Sequence, residues 1–299
     1  MQRVFAHRGS SLAYAENTRA AYQQAIDEGA DGVECDVQLS QDLHVVCHHD
    51  QTVDRTSDGT GSVAGYTLRE LRRLDFSSWK GARVPDPYGA RSQQLVTLPE
   101  ILEMTRLADR EIGLAIELKH PSPFGRKLEE RVLAELMRAG WDPETSRIGK
   151  VAVSLMSFDP GSIDYLLQGV PGHHLCQLVT GIDEDFMDDF GMIGRAAMEQ
   201  VILRTLDGGI DRLDAGAVGI AGPGVAFARA NSETLRRWIG AGLRIRAWTV
   251  DADDDVDYLV GLGVQELTSN RPAHVKRHLA ARNGAVPPAL AASPQAIPH

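Results

Sequence analysis

Little in this chain points to a disulfide framework, a membrane or nucleic acid. It has 3 cysteines in 299 residues, an odd and sparse set that does not make a disulfide framework. No apolar run approaches the length that crosses a bilayer. Met1 leads directly into strand-type residues, leaving no room for a signal peptide. The expectation is a cytoplasmic protein with no stable membrane association. Positive charge is in deficit: 31 Lys and Arg stand against 41 Asp and Glu, a net charge of −10. That balance argues against nucleic acid and anionic lipid surfaces, so a phosphate site here must be built locally from a few cations. What remains is ordinary for a globule, 43% hydrophobic and 24% charged, with length for one large α/β domain or two small ones. Oligomeric state is left open.

Chemistry concentrates between Gly32 and Arg55, G-V-E-C-D-V-Q-L-S-Q-D-L-H-V-V-C-H-H-D-Q-T-V-D-R, which reads as strand, tight turn, strand. Glu34 and Asp36 are two apart and so share a strand face, where two carboxylates would repel at neutral pH. A divalent cation with hard oxygen ligands relieves that repulsion; the alternative is a surface hairpin with solvated acids. A two-residue turn at Gln41–Asp42 sets His49 opposite Glu34. The same turn one place along sets His49 opposite Asp36, and a three-residue turn breaks both registers. His48 is the rival to His49, but adjacent residues point to opposite faces and only His49 precedes Asp50. Cys35, between the acids on the other face, reads as a small core residue. Residues 3–9, R-V-F-A-H-R-G, form a short strand leaving through His7, Arg8 and Gly9. Arg supplies a fork of donors, Gly lets the backbone approach an anion, and His moves a proton near neutral pH.

Along the rest of the chain, apolar runs alternate with helical patterns. Strands are expected near residues 4, 34, 115, 153, 176, 219, 246 and 266, eight in all. The arm carrying H-V-V-C-H-H follows its partner too closely for a parallel crossover and is therefore antiparallel. Asn17–Thr18 offers the N-cap of a first helix ending at Gly29, Ser232 should cap a later one, and Thr67–Glu70 and Thr97–Glu100 have capping-box spacing. Residues 51–98 hold no convincing strand and form a loop and helix insertion. Residues 181–213 read as extra helix, and 283–299 as a disordered Ala/Pro-rich tail. Near-continuous apolar strands alternating with helices imply a parallel sheet covered on both faces. Eight units in about 280 residues give a (β/α)8 TIM barrel with a β-hairpin arm after strand 2. The whole of 1–282 is expected to be a single domain with 51–98 inserted in it. An open doubly wound sheet is disfavoured because the first βα turn lacks a glycine fingerprint.

The blocks H-R-G-(x)6-E-N-T at 7–18, G-A-D-G-V-E-C-D-V at 29–37, H-D at 49–50 with D-R-T at 54–56, E-L-K at 117–119, W-T-V-D at 248–251 and T-S-N-R-P at 268–272 occur in order. Together they resemble the glycerophosphodiester phosphodiesterase family over nearly the whole chain. The resemblance implies a TIM barrel that cleaves glycerophosphodiesters, small-molecule substrates, to glycerol 3-phosphate and an alcohol. Two departures stand out: Leu43 occupies a hairpin-turn position where the family usually has Gly, and Ser269 or Asn270 stands where it tends to have Asp.

In such a barrel the site lies at the C-terminal ends of the strands. Every residue singled out by type falls there: His7, Arg8, Glu34, Asp36, Glu117, Lys119 and Trp248. Glu34, Asp36 and Glu117 could hold one Mg2+ or Ca2+, an all-oxygen set that disfavours Zn2+. Lys119, on the face of Glu117, can contact phosphate with Arg8. By resemblance His7 is the general base, His49 the general acid and Trp248 a wall against glycerol. The sequence itself assigns no direction to the proton transfers, nor does it decide between direct water attack and a cyclic phosphate. His44, His173, His174, His274 and His278 read as surface residues. Two other readings stay open: phospholipase D-like activity on lysophospholipids or sphingolipids, and an inactive barrel that binds phosphodiesters.

Overall fold

The computed structural model describes residues 2–181, 195–282 and 284, with the backbone alone over 195–204. Ten strands form one sheet among these residues: β1 (Arg3–Ala6), β2 (Gly32–Leu39), β3 (Val45–Cys47), β4 (Ile112–Leu118), β5 (Arg147–Ile148), β6 (Val151–Ser157), β7 (Leu175–Val179), β8 (Ile220–Pro223), β9 (Arg244–Ala247) and β10 (Glu266–Ser269). Neighbours run β1-β10-β9-β8-β7-β6-β4-β2, all parallel, and a β1–β2 pairing through Phe5 and Gly32 closes the ring. The eight barrel strands are those expected from the apolar runs. A two-residue strand, β5, pairs antiparallel with β6 and carries too short a pattern to have been read.

Helices follow from local chemistry. Thr18 accepts the Ala21 amide at 3.3 Å to start the helix Arg19–Asp27. Glu70 and Glu100 each reach back to the amide of Thr67 or Thr97, both at 2.9 Å. The cap expected at Ser232 belongs instead to Asn231, and Ser232 is the first residue of the helix Ser232–Gly240. Of the helix expected over 181–213, Arg195–Asp214 is helical, whereas 182–194 lie outside the described residues, as does nearly all of the expected tail. Residues 51–98 contain short helical turns and isolated bridges but no strand. No helix among the described residues is long and apolar enough to cross a membrane.

The hairpin register differs from both two-residue possibilities and lies between them. Val37 pairs with Cys47, Gln38 with Val46 and Leu39 with Val45. The turn is three residues, Gln41 to Leu43, closed by Ser40 N–H to His44 O at 3.0 Å, and Leu43 takes φ +61°. That left-handed position explains why glycine would be favoured there. The backbone of His48, rather than of His49, therefore meets Asp36, with His48 N–H donating to Asp36 O at 2.9 Å. The strand then ends at Cys47, and 48–51 bend away from the ladder.

Inside the barrel, Phe5 occupies space that two glycines leave open. A Cβ on Gly32 would lie 2.3 Å from the Phe5 ring, and one on Gly113 would lie 2.6 Å from it. The same ring lies under the Arg246 guanidinium, 4.2 Å from its centroid. Arg246 in turn binds Glu266 at 2.7 Å and Ser154 at 2.8 Å, all three buried. Gly113→Ala should therefore overpack the interior and cost about 1–3 kcal/mol, read as a lowered denaturant midpoint; an unchanged midpoint would show that Phe5 has room to move.

Candidate active site

At the C-terminal end of the barrel three acids converge. Glu34 and Asp36 alternate inward on β2, and Glu117 comes from β4 in register with Asp36. One carboxylate oxygen from each lies within 4.8 Å of the others, and all three residues are buried. Two cations share the space. Arg8 donates its backbone N–H to Glu34 at 2.8 Å and sets Nε 3.0 Å from Asp36 Oδ2. Lys119 Nζ lies 3.0 Å from Glu117 and 3.8 Å from Asp36 Oδ1. Arg8 can turn its N–H inward because it adopts φ +56° ahead of Gly9, where any Cβ would strike the Ala21 backbone at 2.5 Å.

Electrostatics divide the acids. Burial would raise the Asp36 pKa, but Arg8, His49 and Lys119 outweigh it and hold Asp36 well below the usual range. Burial, reinforced by Asp36 and Glu117, pushes Glu34 well up. Burial with Asp36 lifts Glu117 to about 7 against the pull of Lys119. Asp36 Oδ1 is buried and accepts no hydrogen bond among the described residues. An orphaned oxygen beside two carboxyls of raised pKa fits a set of hard-cation ligands, so the three acids could hold a divalent metal.

The two histidines reach the same cavity from different elements. His7 Nδ1 lies 2.8 Å from Asn270 Oδ1, which also accepts the Ser11 hydroxyl at 2.7 Å, while Asn270 Nδ2 donates to Asp251 at 2.7 Å. With that amide orientation Nδ1 carries the proton, leaving Nε2 as the acceptor. Burial and then Arg8 lower the His7 pKa to about 4, so the ring is neutral near pH 7. His49 Nδ1 lies 2.8 Å from Asp50, and burial, Lys119 and Arg8 lower its pKa against Asp36 and Asp50. His48 packs instead edge-on against Phe76, with Nε2 3.0 Å from Thr52 O, outside the cavity. His49 reaches the cavity despite the altered register because the chain leaves the strand at this point.

His7, Arg8, Glu34, His49, Glu117, Lys119 and Trp248 all line one cavity of about 690 Å³, with Asp36 buried behind them. Trp248, one residue beyond β9, donates Nε1–H to Gly222 O at 2.9 Å and meets Phe158 edge-on at 5.5 Å. Several supporting residues escaped the sequence reading. Asn17 donates to Asp36 Oδ2 at 3.0 Å and accepts the Tyr22 hydroxyl at 2.6 Å. Gln38 Nε2 faces the carbonyls of His48, His49 and Asp50 at 3.1, 2.9 and 2.5 Å. Arg55 binds Asp50 and Glu16 at 2.7 Å each, and Glu16 binds Arg8 at 2.9 Å. Glu16, Asn17 and Arg55 lay within E-N-T and D-R-T, so the signal was present; Gln38 had none.

The sequence profile of the Glycerophosphoryl diester phosphodiesterase family matches residues 7–274. The chain belongs to that family. It is 32% identical over 279 residues to the "Probable glycerophosphodiester phosphodiesterase 1" of Mycobacterium tuberculosis, covering 92% of each protein. A glycerophosphodiester phosphodiesterase of Bacillus subtilis is 28% identical over 268 residues, 89% of this chain and 83% of that protein. Among solved structures, an Oleispira antarctica phosphodiesterase in complex with the product sn-glycerol-3-phosphate has the same fold, with TM-score 0.70, 24% identity, and coverage of 93% and 96%. The Thermotoga maritima glycerophosphodiester phosphodiesterase gives TM-score 0.65 at 22% identity, covering 93% and 98%.

In this glycerophosphoryl diester phosphodiesterase fold, Glu16 stands outside the three-acid cluster, beside His49 and Asp50, and holds Arg8. Burial opposes its ionisation, but Arg55 and Arg8 take its pKa from 4.5 down to about 2. A depressed carboxylate stabilises the fold above its unfolded pKa and stops doing so as pH falls through the native one. Arg55→Met should therefore lower the thermal midpoint at pH 7, with the gap to wild type narrowing between about pH 4.5 and 2 as Glu16 protonates. A gap constant across that window, followed by calorimetry, would show that the Glu16–Arg55 pairing contributes nothing.

Proposed function

We propose that the chain hydrolyses glycerophosphodiesters to glycerol 3-phosphate and an alcohol, with the cavity at the barrel's C-terminal end as the site. The observation that carries this reading is the convergence of three carboxyls, two cations and two differently supported histidines on one cavity. Glu34, Asp36 and Glu117 would hold one divalent cation, Mg2+ or Ca2+ by their oxygen-only donors, and it would supply Lewis-acid polarisation of a phosphate oxygen. Arg8 and Lys119 flank the same place and are suited to the charge that grows on the phosphate oxygens as a nucleophile adds. His7 is neutral with Nε2 as acceptor and suits the general base. His49 keeps Nδ1 against the Asp50 carboxylate, which supports the protonated ring, and suits the general acid that protonates the leaving alkoxide. Trp248 and Phe158 offer an apolar wall to the glycerol carbons.

Chelation should abolish turnover, and Mg2+ or Ca2+ should restore it; full activity with metal verified absent would remove the cation from the proposal. The same cation should raise the thermal midpoint of wild type far more than that of Glu34→Gln, a binding readout independent of turnover.

Single Ala substitutions at His7 and His49 should each cost about 10²–10⁴-fold in turnover, and the double variant less than the product of the two. A p-nitrophenyl leaving group needs little protonation, so His49→Ala should recover much of its rate on that ester while His7→Ala stays slow. Rescue of His7→Ala would reverse the two roles. Activity on glycerophosphoethanolamine without activity on a lysophospholipid would separate this reading from phospholipase D-like action.

A further inference from the structure

A second concavity, about 260 Å³, adjoins the first and shares Gln38, Gln51, Lys119 and Pro121 with it. It runs between the start of the insertion and the loop that follows β4. Resting on the hydrolase reading above, we propose that this groove receives the leaving alcohol and selects a neutral, hydroxylated head group over a cationic one.

Position comes first. The leaving oxygen must lie beside the general acid, and the groove adjoins the cavity that His49 lines: Gln51, which faces both, is two residues beyond it, and Gln38 holds its carbonyl at 2.9 Å. For a diester with its phosphate between Arg8 and Lys119 and its glycerol toward Trp248, Lys119, Gln38 and Gln51, which line both spaces, give the second arm a way into this one.

Chemistry comes second. The polar lining is made of the Gln38 and Gln51 amides and the Ser62 and Ser122 hydroxyls. Gln38 spends its Nε2 on the three carbonyls, and its Oε1 accepts no hydrogen bond among the described residues, so it is open to a hydroxyl. Lys119 is the one charged side chain among the described lining residues, which include no carboxylate and no aromatic ring. A quaternary or primary ammonium would lose water there with neither a carboxylate nor a π face to replace it. A polyol such as glycerol or inositol would exchange its water for amide and hydroxyl partners.

The test measures kcat/KM for release of glycerol 3-phosphate by the metal-loaded enzyme from four diesters of glycerol 3-phosphate: glycerol, inositol, choline and methanol. The glycerol and inositol esters should exceed the choline ester by at least about tenfold. Ala64→Trp, which fills the groove outside the catalytic machinery, should raise KM for the two polyol esters several-fold and leave the methyl ester unchanged. Gln51→Glu should narrow the gap between choline and the polyols. A choline ester equal to or better than the polyols would overturn the proposal, as would an Ala64→Trp loss as large on the methyl ester as on the polyols. Release from the methyl ester alone would keep the hydrolase reading and overturn the groove; release from none would overturn both.

Discussion

Three carboxyl groups confined within a few ångströms cannot all be ionised unless opposing charge is brought to them. Most of the site's construction answers that constraint. Arg8 meets Asp36 with its side chain and Glu34 with its backbone, and Lys119 meets Glu117, yet two cations against three acids leave the group short of balance. The shortfall is visible in Glu34 and Glu117, whose burial raises their pKa values while Asp36 alone is held low. One divalent cation turns the sum from negative to positive by a single charge, and a phosphodiester carries the single negative charge that brings it to neutrality. A protein of net charge −10 would thereby build a local anion site without a basic surface.

Holding that group in place requires backbone conformations that are uncommon for ordinary residues. Arg8 and Asn17 both take φ +56°, the first to aim an N–H at Glu34 and the second to bracket Asp36. Asn17 immediately precedes the cap of the first helix, so one tight segment sets both the helix start and a proposed ligand. Nothing in the hydrophobic pattern could have announced this, because the pattern reports burial and these residues act through polar contacts.

That contrast explains what was readable from the residues. Most barrel strands are buried runs rich in apolar residues, and although β9 (R-I-R-A) and β10 (E-L-T-S) mix in charged and polar ones, their alternation with helices placed all eight. The inward acids stood out because charge inside such a run needs a reason. The hairpin register depended on one backbone angle at Leu43, and a leucine gives no warning of φ +61°. His49 nevertheless reaches the cavity, through the bend after Cys47 and the hold of Gln38 on the carbonyls of residues 48–50. Asn270, one of the two residues standing where the family tends to have Asp, is placed to orient His7 through its carbonyl, with Asp251 fixing the amide from behind.

Arg55 ties Asp50 to Glu16, and Glu16 ties onward to Arg8, so the residue behind one histidine and the guanidinium beside the other are linked through a single side chain of the insertion. This bears on how the insertion could be exchanged. Replacing residues 51–98 wholesale with a segment of different shape would remove the clamp along with the wall it belongs to. A transplanted segment would have to bring an arginine to the same spot, or begin after it. Tyr88, Gln94 and Leu95 also hold the first loop and the helix after it, through Tyr14, Ala20 and Thr18, so redesign is better confined to the stretch around Ser62 and Ala64, which face the second groove.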